Sequence, residues 1–252
     1  MNSQHAQHSP EILVFDSSDA LASAAAQRLA ATIVTAQSDR GVARIALTGG
    51  STGIAVLRAL RSVGNPIDWG KVDIFWGDDR FLPAGHKDRN DAQADEALLS
   101  HVPVDAARVY RMPCDEGDFA GDVTAGARAY EEKLRSLTPD GNIPQLDVHL
   151  LGMGPDGHIN SLFPGKATLA ERERAVIAEF DSPKPPLQRI TLTYPVVNSS
   201  REVWFLVAGA DKAPAVAKAV GRASPADYPA AGAQGRDGTT WFLDKNAAEL
   251  LR

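Results

Sequence analysis

The stretch Leu146–Pro164, LDVHLLGMGPDGHINSLFP, decides how the rest of the sequence is interpreted. Its first six residues are largely apolar and have the length and composition of a buried β-strand. Three glycines and a proline follow at once, so the strand has to end in a tight turn. Asp156 and His158 are therefore expected on a loop at the carboxyl end of a strand, which is where ligands bind in open α/β sheets.

Strands and helices are predicted to alternate along the chain. The predicted strands are Glu11–Phe15, Ala43–Thr48, Lys71–Trp76, Arg108–Tyr110, Leu146–Leu151, Ala175–Phe180, Arg189–Thr193, Glu202–Ala208 and Thr239–Leu243. Helices are predicted after the caps Ser17, Ser18 or Asp19, after Thr52, from Asn90 or Asp91 to about Leu99, over Val123–Leu137, from about Lys212 and over Asp244–Arg252. This alternation predicts an α/β fold, with residues 11–252 forming a single three-layer domain around a central, mostly parallel sheet flanked by helices. Residues 1–10 are polar and are predicted to be a disordered tail.

The composition excludes several classes of protein. The chain has 252 residues, 44% of them hydrophobic and 23% charged, and a net charge of −6. This acidic balance argues against a general nucleic-acid-binding surface, because neutralising phosphates needs clustered Lys and Arg. No apolar run approaches the roughly 18 residues of a membrane span, and the first ten residues lack the features of a secretory signal. With Cys114 as the single cysteine, we expect a cytoplasmic protein without nucleic-acid or membrane partners.

A second motif, Thr48-Gly49-Gly50-Ser51-Thr52, lies between a predicted strand and a predicted helix. Free N–H groups at a helix start and the positive end of the helix dipole form an anion site. The two glycines allow a phosphate to approach the backbone, and Ser51 and Thr52 add hydroxyl donors. The lysine of the nucleoside-triphosphate loop is missing. The motif predicts a phosphate site, with an ordinary capped glycine turn as the alternative.

Charged side chains occur next to three other predicted elements. If Asp78-Asp79-Arg80 is extended, Asp78 and Arg80 point together toward the cleft and Asp79 points away. Arg189 opens a later strand and Lys212 begins a helix, so each can reach the same cleft. Together with the glycine turn they would bind a dianionic phosphate. The alternative for each is solvent-exposed charge.

The loop Gly152–Gly157 matches the dinucleotide pattern G-x-G-x-x-G, and Glu179 lies at roughly the separation of a ribose ligand. That pattern requires a helix beginning at the glycines, whereas Pro155 lies inside this one and a Pro-Gly pair soon follows. We therefore predict that the loop holds His158 beside the Asp156 carboxylate and binds no cofactor. A histidine, with an ordinary pKa of about 6.5, can act as a base at neutral pH. The alternative is a loop histidine bonded to the backbone.

Two further chemistries are not indicated. The six histidines include no H-x-x-x-H pair and there is one cysteine, so we expect no tetrahedral zinc site. The G-x-S-x-G elbow of a serine nucleophile is also missing. A hydrolytic reaction would therefore most simply use activated water.

Taken together, these motifs resemble those of the glucosamine-6-phosphate isomerase/6-phosphogluconolactonase family, and within it the lactonases. The matching segments are Leu47–Thr52, Trp76–Phe81, Leu151–His158, Ser161–Pro164, Arg189–Thr191 and Asp211–Ala213. The histidine loop followed by Ser-Leu-Phe-Pro is the most specific of them. Asp79 stands where the family more often has Glu, at a position expected to face away from the cleft.

The resemblance implies the hydrolysis of 6-phospho-D-glucono-1,5-lactone to 6-phospho-D-gluconate, the second step of the oxidative pentose phosphate pathway, without a cofactor. It implies that His158 is the general base that activates water and that Asp156 orients or polarises this part of the site. Arg80 would stabilise the developing oxyanion, and Asp78 would position Arg80 or the sugar hydroxyls. The residues that would hold the 6-phosphate are Gly49, Gly50, Ser51, Thr52, Arg189 and Lys212.

Two other functions stay open at this point. One is the related isomerase or deaminase of amino-sugar phosphates, which needs ring opening and proton transfer at C2. That branch has a Glu where this chain has Phe163, and it tends to have Asp-Glu-Tyr in place of Asp78-Asp79-Arg80. Both differences favour the lactonase. The other is a non-catalytic sugar-phosphate sensor, against which the presence of both His158 and Arg80 argues.

Overall fold

The structure, a computed structural model, describes residues 9–64 and 67–251. Its strands are β1 (Glu11–Phe15), β2 (Ala43–Leu47), β3 (Val72–Trp76), β4 (Asp78–Arg80), β5 (Val148–Leu151), β6 (Val176–Glu179), β7 (Arg189–Leu192), β8 (Glu202–Val207) and β9 (Gly238–Asp244). Its helices are α1 (Ser18–Arg40), α2 (Gly50–Leu60), α3 (Asn90–Ala97), α4 (Val123–Arg135), α5 (Tyr194–Ser199) and α6 (Ala213–Val220). Six strands form a parallel sheet in the order β1-β9-β8-β5-β2-β3. The predicted α/β fold with a central parallel sheet is confirmed.

Two further predictions concern the chain as a whole. Most of the predicted tail falls on residues 1–8, which lie outside the described residues. The single domain over residues 11–252 stays a prediction. In the two described ranges, no helix is both long enough and apolar enough to cross a membrane.

The central sheet is covered by helices on both faces. Trp204 and Leu206 of β8 pack in one buried cluster with the α1 side chains Leu21 and Leu29. The alternate residues of β8 pack on the other face, in a second cluster that includes Val216 of α6. Because both faces of β8 are buried, its residues are apolar on both faces rather than alternating between apolar and polar.

Gly77 joins the central sheet to a second, smaller one. Its N–H donates to the Leu47 carbonyl at 3.0 Å, and its own carbonyl accepts from the Leu192 N–H at 2.8 Å. The chain continues directly as β4, which belongs to an antiparallel sheet of order β4-β7-β6. The sequence predicts β6 and β7 as strands but does not predict this separate sheet. The junction carries the Asp-Asp-Arg segment away from the end of β3.

The start of α3 differs from the prediction. The helix begins at Asn90, but neither Asn90 nor Asp91 caps it with its side chain. Instead, the Asp79 carboxylate accepts hydrogen bonds from the N–H groups of Asn90 at 2.7 Å and Asp91 at 3.2 Å. The predicted strand at residues 108–110 is reduced to an isolated bridge between Val109 and β3.

The predicted C-terminal helix over Asp244–Arg252 is wrong for the residues described. Asp244 Oδ1 accepts from the Gly209 N–H at 3.0 Å and the Ala247 N–H at 2.7 Å, and the chain continues in turns. Between residues 245 and 251, Ala247 is the one buried residue. Ala248 and Leu251 pack against the same core cluster as Ala247 but are only partly buried, so the segment does not bury the apolar stripe that is typical of a surface helix.

Candidate active site

One cleft opens at the carboxyl ends of β2, β3, β5 and β8. The chain leaves β2 for β3 on one side and leaves β5 for β8 on the other, so the strand order reverses between β2 and β5. Such a switch point produces a crevice in α/β sheets. The cleft has a volume of about 460 Å³. It is lined by every predicted site residue except Asp156, namely Gly49, Gly50, Ser51, Thr52, Asp78, Arg80, His158, Arg189 and Lys212.

The turn between β2 and α2 presents the first N–H groups of α2 to the cleft. Gly49 occupies the N-cap position, and a side chain there would overlap the Asn90 amide from α3. Thr48 Oγ1 accepts a hydrogen bond from the Gly152 N–H at 3.1 Å, which ties the turn to the histidine loop. The arrangement has the features of an anion site: free backbone donors, a helix dipole and close access to the main chain.

His158 and Asp156 form a pair on the loop after β5. His158 Nδ1 lies 2.6 Å from Asp156 Oδ1, which also accepts from the His158 N–H at 3.2 Å. Burial opposes ionisation of Asp156, but the hydrogen bonds and charge of His158 outweigh it and lower the carboxyl pKa. Because an ionised carboxylate can only accept, Nδ1 carries the proton and donates it. Nε2 is then the free acceptor of the neutral ring, which is the form a general base requires.

The His158 ring is held by packing as well as by Asp156. The Phe163 ring lies beside it, with 4.7 Å between centroids. The ring also lies against Gly154, where any β-carbon would overlap both His158 and Asp156. The Gly154 N–H donates to the His158 carbonyl at 3.1 Å, which closes the loop. The glycine-rich sequence therefore serves to seat the imidazole.

Arg80 and Asp78 lie on the cleft side of β4, and Asp79 points toward α3, as the strand spacing predicts. Arg80 Nη1 donates to Asn90 Oδ1. Asn90 Nδ2 donates in turn to the Asp78 carbonyl at 2.8 Å and to Asp78 Oδ1 at 3.2 Å. Asn90 is buried, with 2% of its surface exposed. Arg80 is thus oriented by Asn90, whose own backbone is fixed by Asp79.

The carboxylate of Asp78 has partners other than the one expected. Ser161 Oγ donates to Asp78 Oδ2 at 2.6 Å, and Arg189 Nη1 lies 4.0 Å from the same oxygen. Asp78 and Arg80 are linked through Asn90 rather than by a direct contact, and the expectation that Asp78 positions Arg80 or the sugar hydroxyls stays a prediction. Asp78 also links β4 to Ser161 and to the Arg189 guanidinium.

Two cations, the buried Arg189 and the half-buried Lys212, face the cleft from different elements. Arg189 donates from Nε to the Pro186 carbonyl and from Nη2 to the Lys184 carbonyl, both at 3.0 Å. Lys212 Nζ donates to the Met153 carbonyl at 2.7 Å. Burial lowers the pKa of Lys212 and also that of Arg189. Since an ammonium has three donors and a guanidinium five, both side chains keep donors for an anion.

Asn90, Asn160 and Lys184 are among the polar cleft residues that were not predicted as site residues from the sequence. From the sequence, Asn90 is predicted only as a helix cap, and Lys184 is given no role. Asn160 had a usable signal, because it lies inside the most specific motif, between His158 and Ser161. The contacts of Asn90 depend on the packing of α3 against β4, which no local pattern indicates.

The G-x-G-x-x-G segment does not lead into a helix. Residues 158–166 form turns and an isolated bridge, and Glu179 bonds to Thr168 Oγ1 at 3.0 Å and the Asp181 N–H at 2.8 Å. Both findings argue against a dinucleotide site at this loop. Across the part of the chain that the structure describes, no group of three or more His, Cys, Asp or Glu is arranged to hold a metal ion. Activity without a cofactor stays a prediction.

Comparisons with known proteins agree on one family. The family model for glucosamine-6-phosphate isomerases/6-phosphogluconolactonase matches residues 16–242. The chain is 51% identical over 244 residues to 6-phosphogluconolactonase of Mycobacterium tuberculosis, covering 96% of this chain and 99% of that protein. It is 47% identical over 249 residues to the Streptomyces coelicolor 6-phosphogluconolactonase, covering 96% and 95%. The solved structure of 6-phosphogluconolactonase from Trypanosoma brucei superposes with a TM-score of 0.83 at 28% identity, covering 96% of this chain and 99% of that one.

Proposed function

Because the chain belongs to the glucosamine-6-phosphate isomerase/6-phosphogluconolactonase family, we propose that it hydrolyses 6-phospho-D-glucono-1,5-lactone to 6-phospho-D-gluconate. This reaction is the second step of the oxidative pentose phosphate pathway. One observation carries the proposal: a single cleft combines a histidine paired with an aspartate, an arginine, and a helix start with two cations. The histidine–aspartate pair and the arginine suit attack on a carbonyl, and the helix start with its two cations suits a phosphate.

In the proposed reaction His158 acts as the general base. Its Nε2 takes a proton from water while the water oxygen attacks the lactone carbonyl, and Asp156 stabilises the imidazolium through the Nδ1–H donor. The carbonyl electrons move to the oxygen, where the Arg80 guanidinium stabilises the negative charge. Collapse of the tetrahedral intermediate breaks the bond to the ring oxygen, which takes the proton back from His158. The product is the open-chain acid, and His158 is regenerated.

The other end of the cleft holds the 6-phosphate in this proposal. The N–H groups at the start of α2 and the hydroxyls of Ser51 and Thr52 supply neutral donors, and Arg189 and Lys212 supply positive charge. Binding at this remote group fixes the lactone carbonyl against the base. Orientation of this kind lowers the activation barrier without any contact to the reacting atoms.

Two features favour lactone hydrolysis over the isomerase or deaminase reaction. Phe163 packs on the His158 ring at the position where the isomerase branch is expected to carry a carboxylate. Arg80 lies in the cleft, where it serves an oxyanion better than a C2 proton transfer. A sensor without turnover would need neither His158 nor Arg80 in this arrangement.

Proton release tests the proposal directly. Freshly made 6-phosphogluconolactone is added to the protein, spontaneous hydrolysis is subtracted, and glucosamine 6-phosphate is tested in parallel. We expect protein-dependent proton release with the lactone and no conversion of the amino sugar. A rate equal to the spontaneous one, or turnover of glucosamine 6-phosphate in its place, would overturn the proposal.

We also propose that the partner of the protein is the small-molecule sugar-phosphate lactone, that the protein binds neither nucleic acid nor membrane, and that it acts in the cytoplasm. The support is compositional: a net charge of −6 and a single cysteine, Cys114. Fractionation of cells that produce the protein tests the location.

A further inference from the structure

The residue Lys184 lies at the rim of the cleft, on the loop between β6 and β7. Its main chain is held from two sides, because Ser182 Oγ and Arg189 Nη2 both donate to the Lys184 carbonyl at 3.0 Å. Pro183 and Pro185 flank it and restrict the backbone further. The side chain itself is exposed. The loop therefore fixes the base of this side chain and leaves its ammonium group free to reach the cleft.

The Lys184 ammonium faces other positive charge without an anion of its own. Among the residues that the structure describes, none forms a hydrogen bond or an ion pair with its Nζ atom. Burial lowers the pKa of Lys212, and the charge of Asp211 opposes that shift. The nearby positive charge of Lys184 lowers the pKa of Lys212 further. Positive charges that share a cleft repel one another, and a bound anion offsets this electrostatic repulsion. Arg189 has the Asp78 carboxylate 4.0 Å away, but the cleft lining holds four cationic side chains, Arg80, Lys184, Arg189 and Lys212, against the two carboxylates of Asp78 and Asp211. This excess of positive charge suits a ligand with more than one negative charge.

We propose that Lys184 is a specificity-determining residue that binds the dianionic phosphate of the substrate as a third cation beside Arg189 and Lys212. The inference rests on the proposed lactonase function and adds a residue to it. A phosphate monoester carries a charge of about −1.5 to −2 at neutral pH, so a third cation contributes most to the doubly charged group. Arg189 is bonded to the Lys184 carbonyl, so the guanidinium and the ammonium approach the anion from one connected segment.

The test compares two lactones with variants of this residue. Lys184→Met removes the charge while keeping the apolar stem and the main-chain contacts, and Lys184→Arg keeps the charge. The measurement is the ratio of kcat/KM for 6-phosphogluconolactone to that for glucono-1,5-lactone. We expect the ratio to fall about 10-fold in Lys184→Met, mainly through KM of the phosphorylated lactone, and to stay near the wild-type value in Lys184→Arg.

A matched control is Lys166→Met, because Lys166 Nζ pairs with Asp181 at 2.5 Å and lies outside the cleft lining. It should keep the wild-type ratio, and thermal unfolding should show all variants folded. An unchanged ratio in Lys184→Met, or an equal loss on both lactones, overturns the assignment. If Lys212→Met lowers the ratio while Lys184→Met does not, only the role of Lys184 fails. If the wild-type protein does not prefer the phosphorylated lactone, the proposed function fails with it.

Discussion

At the scale of single residues, the proposed chemistry depends on the pairing of His158 with Asp156. The two side chains are separated by one residue, so a short loop is sufficient to bring them together. That closeness is why the sequence alone predicts both of them. Asn90 is different, because it reaches Arg80 and Asp78 only through the packing of α3 against β4. Local spacing carries no information about that contact.

His158→Ala tests the base role. We expect kcat to fall by roughly 100-fold or more, because the water loses its proton acceptor, while the affinity for 6-phosphogluconate stays within a few-fold. Initial rates and a binding titration measure the two quantities. His101→Ala is the matched control, since His101 is an exposed histidine bonded to the Glu96 carbonyl at 3.0 Å. A His158→Ala protein with nearly unchanged kcat would exclude the general-base role.

His149 supports a second prediction, on stability. It is fully buried in β5, its Nδ1 lacks a hydrogen-bond partner among the described residues, and burial lowers its pKa to about 4. An unfolded histidine has a pKa of about 6.5. As the pH falls between these values the unfolded state takes up a proton that the folded state does not. The free energy of unfolding therefore falls by up to about 3 kcal/mol over that window.

Urea unfolding of the wild-type protein and of His149→Gln at several pH values measures this loss. We expect the stability difference between the two proteins to change by that amount between pH 7 and pH 4, since glutamine does not titrate. Burial raises the pKa of Asp79, which acts in the opposite direction, but this contribution is common to both proteins and cancels. His101→Gln, at an exposed position, should show no such change. A stability difference that is constant with pH would contradict the prediction.

At the scale of elements, the helices and strands that could be predicted from the sequence are those whose burial leaves a clear apolar pattern. The strand β8 is a nearly continuous apolar run, and the stripe on α1 recurs every four residues, so both were predicted. β4 is only the three residues Asp78–Arg80, and its pairing with β7 joins segments about a hundred residues apart. Its composition contains no strand signal. α5 was also missed, because it has six residues and begins with a Tyr-Pro pair.

The close approach of α3 to the β2–α2 turn gives a prediction for Gly49→Ala. The added methyl group would overlap the Asn90 amide, which orients Arg80. We expect a loss of about 1–3 kcal/mol in the free energy of unfolding, because a fixed neighbour has to move, together with a lower kcat/KM. Denaturant unfolding and steady-state kinetics measure the two effects.

The control for this substitution is Gly64→Ala, at a position where an added β-carbon meets no atom of the described residues within 4 Å. It should leave the free energy of unfolding within about 0.5 kcal/mol of the wild-type value and kcat/KM within about two-fold of it. If Gly49→Ala behaved in the same way, the turn would not depend on contact with Asn90.

At the scale of the whole molecule, the strand order brings the two halves of the site together. The glycine turn and the histidine loop are about a hundred residues apart, yet the Thr48 hydroxyl and the Gly152 N–H are hydrogen bonded because β2 and β5 are neighbours. The sequence predicts that each loop follows a strand. It does not predict which strands are adjacent, because that depends on long-range packing. The fold also concentrates positive charge in one cleft of a chain whose net charge is −6.

In the proposed complex, one small molecule spans this cleft with its phosphate at the start of α2 and its carbonyl carbon at His158. A crystal structure of the protein with 6-phosphogluconate tests this arrangement most directly. We expect phosphate oxygens within hydrogen-bond distance of the first N–H groups of α2, Arg189 and Lys212, with the C1 carboxylate beside His158 and Arg80. A ligand bound in the reverse orientation, or with its phosphate outside this cleft, would contradict it.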